Sequence, residues 1–375
     1  MNQYLPEFSY FDIIISDVNN TQITPQPIQY SEARNIPYLY EPDRYSLSVV
    51  RWTCDTSTLP IFRCQIKPNS NSAFDSIYSI TLVYQGVVAQ VYLQYSSQQV
   101  LAPTPNTPNQ MPNGLQDNTN NYYDVYNYQF VIYLFNQTFQ TALTALTALA
   151  KAKGITVPTT NPPVFVFDTI NNIAVLYTDV AGYNSSIDSS IKIFFNPATA
   201  NLFNSFPFYL VNTNSAFGMN YQLQVNIFSN ANIIPYTAGK LTFSVYQVVQ
   251  EFSTISNWNP VIAIVMCSNS LPVYPNNISG KISMNDAGIK QSASGNNAIT
   301  NPVITDFVSD TGCYKPFIVY TPSAQYRRLS LLTGSSSLTN LDIQIYWRDR
   351  FGVLNPLLLG TGSTVSIKLL FELIK

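Results

Sequence analysis

The chain is written as short runs of β-branched and aromatic residues, broken every few positions by Asn, Pro, Gly or Ser. That pattern is how antiparallel sheets read, because the branched side chains fill a pleated surface and the breakers turn the backbone. Residues 8–18 form one such run. Residues 45–54 alternate, with Tyr45, Leu47, Val49 and Arg51 expected on one face and Ser46, Ser48, Val50 and Trp52 on the other. Runs 77–84 and 87–95 meet at Gln85-Gly86, which predicts a hairpin. Further strands are expected at 164–167, 174–177, 191–195, 221–228, 241–249, 261–267, 302–308, 317–320, 341–347 and 364–373.

One segment reads as a helix. Asn136 is a suitable N-cap for 137–153, Lys151 and Lys153 fall in the last turn, and Gly154 can close it. Its repeat places Leu143, Leu146 and Leu149 three apart, with Thr and Ala instead of basic residues between them. Such a helix is expected to lie on a sheet and not on a membrane. Many short strands with one helix make the fold all-β, with the spacing of sandwiches or jelly rolls and not of alternating βαβ units.

At 375 residues the chain has material for two domain-sized units. Charge is unevenly spread: positions 68–240 hold ten charged residues and the rest of the chain holds 28. The two flanks are alike and the middle differs, as expected of a segment inserted into one domain. A stretch with four prolines and many Asn, 101–121, has no periodicity and is expected to be an exposed loop near a domain boundary.

The chain contains no histidine, and only 10% of its residues are charged. This argues against Ser-His and Cys-His hydrolases and histidine-based zinc enzymes. The GxG of Gly360-Thr361-Gly362-Ser363 lacks the rest of a phosphate loop and is expected to be a turn. Carboxylate pairs such as Asp168 with Asp179, or Glu251 with Asp306, lack diagnostic spacing for glycoside hydrolysis. No enzymatic activity, cofactor or metal site is expected.

Cys54, Cys64, Cys267 and Cys313 are too scattered for a disulfide framework. Cys54 and Cys64 could face each other across a turn at 58–60, but buried free thiols are the expectation. The first residues lack the basic and apolar regions of a signal peptide, and no run approaches the roughly 18–20 apolar residues of a membrane span. Sequons at Asn19, Asn136, Asn184 and Asn277 are expected chance matches in an Asn-rich chain. A net charge of −2 supplies no general attraction to nucleic acid or membrane. The densest basic clusters, Arg327-Arg328 and Arg348-Asp349-Arg350, sit beside apolar strand residues and are expected at solvated edges or subunit contacts.

An ordered series of segments carries a resemblance. Ser31-Glu32-Ala33-Arg34 precedes Asp43 to Trp52 and then Ser57-Thr58-Leu59-Pro60. Gln250 to Val261 follows, then Ser268-Asn269-Ser270-Leu271-Pro272-Val273, Ile304-Thr305-Asp306-Phe307 and Tyr320 to Arg327. Asp342 to Gly352 and a strand through Lys368 to Phe371 complete it. This series resembles the penton (vertex) capsid proteins of virophages and related polinton-like DNA viruses.

The resemblance implies a jelly-roll base domain, five-fold assembly at icosahedral vertices, and contact with a surrounding major capsid protein. It brings no catalytic residues. The expected architecture is an antiparallel jelly-roll β-sandwich from 1–98 and 241–375, with an inserted β-rich module at 99–240 that contains the helix. The neutral module would suit an outward-facing tower able to meet a host receptor or giant-virus surface. Arg348 and Arg350 are the expected assembly-interface residues. The protein is expected in the virion, assembled inside the host cell. A trimeric major capsid protein and a glycan-binding spike are the alternatives.

Overall fold

The strand Thr364–Leu373 lies between Phe8–Ser16 and Tyr45–Asp55, antiparallel to both. The computed structural model describes residues 5–17, 25–68, 70, 72–98, 116, 121–211, 223–228, 232–238, 241–273, 282–284, 290–292, 303–308, 317–324, 330–334 and 336–374. These fall into two compact units: one is built from described residues up to Pro60 and from Pro260 onward, the other from those between Ile61 and Asn259.

Eight strands frame the first unit: Phe8–Ser16, Gln29–Ala33, Tyr45–Asp55, Val261–Cys267, Val303–Phe307, Phe317–Tyr320, Asn340–Asp349 and Thr364–Leu373. Counted in that order, one sheet runs first, eighth, third, sixth. The other runs second, seventh, fourth, fifth, and every neighbouring pair is antiparallel. This interleaving of two sheets is the jelly-roll order. Leu47, Trp52, Ile367 and Phe371 from one sheet pack against Ile264, Met266, Ile343 and Trp347 from the other. Each such burial contributes about 1.5–3 kcal/mol.

The expected alternation of 45–54 fails midway. Lys368 pairs with Arg51 but Leu369 pairs with Val49, so Val50 is an extra residue. The bulge resets the pleat. Tyr45, Leu47 and Val49 point inward before it, Trp52 and Cys54 after it, and Arg51 moves to the solvent face.

Asp342 ties two segments of the ordered series together. Its carboxylate accepts hydrogen bonds from the Ser268 and Ser270 hydroxyls and from the backbone N–H groups of Asn269 (2.9 Å) and Ser270 (2.7 Å). Burial alone would raise its pKa, yet these bonds outweigh it and hold the group below the usual carboxylate range.

The second unit has its own core. One sheet has the order Phe208–Leu210, Leu223–Val225, Lys192–Phe195, Asp75–Tyr84, Val87–Gln94; the other runs Asn232–Ala238, Leu241–Val249, Ile173–Asp179, Val164–Asp168. Gln85 and Gly86 both take positive φ, the hairpin geometry their sequence predicts. Phe135, Phe139, Phe165, Phe195 and Phe203 cluster in the interior, with Phe165 and Phe203 stacked at 4.6 Å. Arg63 and Asp124 form a bidentate pair at 2.6 and 3.0 Å, both side chains almost wholly buried.

The helix is Tyr128–Ala152, longer than expected by nine residues at its start. Its N-cap is Asn127, whose side chain accepts from the Gln129 N–H at 2.7 Å. Asn136 lies inside the helix instead. Its carboxamide accepts from the Phe165 N–H (2.7 Å) and donates to the Phe165 carbonyl (2.9 Å), covering the free edge of Val164–Asp168. Leu143 and Leu146 are buried but Leu149 is exposed, because a three-residue repeat drifts off one face of a 3.6-residue helix. The helix packs on Val87–Gln94, Asp75–Tyr84 and Val164–Asp168.

The unit boundaries differ from 99 and 240. Asp75–Tyr84 and Val87–Gln94 join the second unit because Lys192–Phe195 pairs with Asp75–Tyr84. Leu241–Val249 joins it through Ile173–Asp179. The segment to Trp258 follows, since the Thr254 hydroxyl and the Trp258 indole both donate to the Leu202 carbonyl at 2.7 Å. Of the proline-rich stretch 101–121, only Gln116 and Asn121 are among the described residues.

Two substitutions test this packing. An added Cβ at Gly182 clashes with the Thr159 Cγ2, and Thr159 is held by Asp179. Gly182→Ala should lower stability by about 1–3 kcal/mol in urea unfolding; Thr159→Ser in the same chain should recover part of it. Asp342→Asn should cost about 2 kcal/mol at pH 7. A depressed carboxylate stabilises above its unfolded pKa and loses that contribution as pH falls through the folded one. The gap between wild type and Asp342→Asn should therefore close below about pH 4.

Candidate assembly surfaces

Arg348 and Arg350 sit at the end of Asn340–Asp349 and in the turn after it. Trp347 points into the jelly-roll core. Alternation then sends Arg348 to the opposite face, where Tyr346 packs on a separate small cluster of Val265, Cys267 and Val303. Arg348 is half-buried, and its Nε is enclosed without a hydrogen-bond partner among the described residues. Asp349, between the two arginines, is buried and shapes the turn: its Oδ1 accepts from the N–H groups of Phe351 (2.8 Å) and Val353 (2.9 Å). Gly352 supplies the positive φ that follows. Arg350 is exposed. Arg327 and Arg328 lie outside the described residues.

A second charged group lies on the outer face of the other sheet. Asp12 accepts from Arg51 at 3.1 Å and faces Lys368 at 3.3 Å, joining three adjacent strands. Lys368 also lies over the Tyr10 ring, 5.3 Å from its centre. Phe8, Tyr10 and Ile14 are exposed along the same edge strand, Phe8–Ser16. Sequence reasoning missed this group. Its members are spread from position 12 to position 368, and only the sheet order and the bulge at Val50 bring them together.

On Gln29–Ala33 a third set gathers. Glu32 pairs with Arg34 at 2.9 Å and accepts from the Tyr30 hydroxyl, while Arg34 lies over the Tyr38 ring. The Arg34 guanidinium, then the Tyr30 hydroxyl, lower the Glu32 carboxyl to about 2.

The other sequence candidates resolve into structure. Gly360 to Ser363 is a turn, closed by the Ser363 N–H on the Gly360 carbonyl at 3.0 Å. Asp168 ends Val164–Asp168 opposite Ile173, and Asp179 lies at the far end of Ile173–Asp179, about 20 Å away at ~3.3 Å per residue. Each carboxylate binds turn amides: Asp168 that of Ile170, Asp179 that of Ala181. Glu251 and Asp306 belong to different compact units. Asn184 is buried, with its amide on the Tyr246 hydroxyl, so the sequon there is a packing residue. The sequons at Asn19 and Asn277 lie outside the described residues.

Cys54, Cys64 and Cys267 are buried free thiols, and Cys313 is outside the described set. Burial pushes the Cys54 thiol up to about 12 and that of Cys267 to about 11. Among the described residues no group of acidic residues and cysteines is placed to hold a metal, and no helix is long and apolar enough to cross a membrane.

The chain is similar to structural proteins of virophages. Structural protein V19 of the Sputnik virophage is 25% identical over 219 residues, covering 55% of this chain and 92% of that protein. A chain in the 3.5 Å cryo-EM structure of the Sputnik virophage matches with a TM-score of 0.80 and 24% identity, covering 99% of both chains. The mavirus penton protein, known from a crystal structure, matches with a TM-score of 0.63 and 16% identity, covering 98% of this chain and 99% of that one. The family model for the Sputnik minor capsid protein V18/19 matches residues 9–373, so the chain belongs to that family of virion structural proteins.

Proposed function

We propose that this protein closes the five-fold vertices of an icosahedral virion as a homopentamer, held in place by the surrounding major capsid protein. The observation that carries this reading is the extent of the likeness to the mavirus penton: 98% of the chain, second unit included, follows one penton fold. The second unit also separates this reading from a major capsid protein with two tandem jelly rolls. Its described strands follow a different order and pack on a 25-residue helix. The protein works by assembly and not by catalysis, and it acts in the virion after assembly inside the host cell.

Arg348 and Arg350 contribute to the contact between copies. A half-buried guanidinium whose Nε lacks an acceptor is costly, and a carboxylate or carbonyl from a neighbour would relieve that cost. Asp349 fixes the turn between the two arginines and so presents them in one geometry.

The purified chain should sediment at five times its monomer mass of 42.0 kDa. A monomer or trimer at assembly concentrations would falsify the pentamer. Arg348→Ala with Arg350→Ala should raise the concentration needed for rings roughly tenfold, equivalent to about 1.4 kcal/mol. An unchanged pentamer yield would remove both arginines from the contact.

A further inference from the structure

Among the described residues, four strands end the two jelly-roll sheets, and three of them are built to refuse a neighbour. Phe317–Tyr320 is four residues long and is soon followed by Pro322. Val303–Phe307 follows Pro302 and is bulged against Val261–Cys267. Gln29–Ala33 is five residues long and carries the Glu32–Arg34 ion pair. Short length, proline, bulges and charge are the devices that keep an edge from pairing. Phe8–Ser16 differs: it runs nine residues in unbroken register with Thr364–Leu373, holds no proline, and has Asp12 as its one charge.

The open side of this strand can be read from its hydrogen bonds. The Leu373 N–H donates to the Glu7 carbonyl at 2.9 Å, and the Asp17 N–H donates to the Ser363 carbonyl at 3.1 Å. In an antiparallel ladder, residues bonded to one neighbour alternate with residues whose N–H and C=O point the other way. Ser9, Phe11, Ile13 and Ile15 therefore bond Thr364–Leu373. Phe8, Tyr10, Asp12, Ile14 and Ser16 turn their backbone groups to the edge, where no described strand meets them. On the core side, Ile13 is buried, but Phe11 and Ile15 are only half-buried at the margin of the core.

An edge of unpaired N–H and C=O groups is satisfied by an extended backbone, and a strand laid there would also finish covering Phe11 and Ile15. The same strand of a second copy fits poorly. The antiparallel register that uses every open position sets Phe8 against Ser16, Tyr10 against Ile14 and Asp12 against Asp12. Like charges opposed across a ladder repel. We propose that Phe8–Ser16 receives an added strand from a different polypeptide of the virion. That strand is apolar on the side that continues the core and neutral or basic opposite Asp12. The contact stands on this edge alone and does not require the pentamer.

Hydrogen exchange resolved to single amides tests it, on the purified full-length chain and on the same chain inside virions. In the purified chain the amides of Tyr10, Asp12 and Ile14 should exchange fast, while those of Phe11 and Ile13 are protected. In virions the first three should slow about tenfold. Ile14→Pro removes an N–H that the native ladder does not use, so it should melt as the wild type does, whereas Ile13→Pro should unfold. Ile14→Pro, and Ile14→Lys as a second block of the edge, should lower the copies per virion about tenfold. Ile14→Val should not. Circular dichroism confirms which variants fold.

Edge amides that stay fast in virions, or folded Ile14→Pro and Ile14→Lys chains that enter virions normally, would overturn the added strand. Edge amides already slow in the purified chain would show the edge closed without a foreign partner and overturn it too. A photo-crosslinker in place of Tyr10 should join the chain to a virion polypeptide of different sequence. A link to a second copy of this chain would overturn the foreign strand.

Discussion

The jelly roll depends on one strand placed between two others that are far away in sequence. Thr364–Leu373 supplies ladder partners to Phe8–Ser16 on one side and Tyr45–Asp55 on the other, from Phe8 opposite Glu372 to Tyr45 opposite Leu373. Among the described residues it is what joins those two strands in one sheet. Its inward residues Val365, Ile367, Leu369 and Phe371 are all fully buried. Pairings of such sequence separation carry a loop-closure cost before they return any contact energy, so they form late and slowly. The second unit buries its own aromatic core between Ile61 and Asn259, and the final strand is no part of that core.

The same arrangement explains why the charged and apolar surfaces have no motif. A catalytic site needs side chains converging on one reacting atom. An assembly protein needs faces and edges whose chemistry is distributed over strands. Asp12, Arg51 and Lys368 meet across three strands of one sheet. Arg348 lies on the outer face of the other, beside Tyr346 and the Val265 cluster.

Local chemistry in the sequence carried a good deal. The strand runs at 45–54, 261–267 and 364–373, the Gln85-Gly86 turn, the Gly154 cap and the GxG turn all follow from side-chain branching and from φ preferences that act within a few residues. The ordered series was also legible as a resemblance, and its segments turn out to be structural fasteners. Asp342 binds the Ser268 to Ser270 turn, and Trp258 binds the Leu202 carbonyl. The start of the helix was hidden because Asn127 and Asn136 have the same capping chemistry. Only the edge strand at Phe165 shows that Asn136 is occupied elsewhere.

Taken alone, the sequence determined that this chain is built from antiparallel strands, that it lacks the histidine on which much catalysis relies, and that its charge sits mainly toward its ends. Those are properties of composition and of neighbours along the chain. Tertiary structure decided the rest: that the unit boundary falls at Pro60 and Asn259, that a single extra residue at Val50 turns Trp52 inward and Arg51 outward, and that three distant charges share one face. Which strand pairs with which, and in what register, depends on contacts between residues hundreds of positions apart. No local pattern records them.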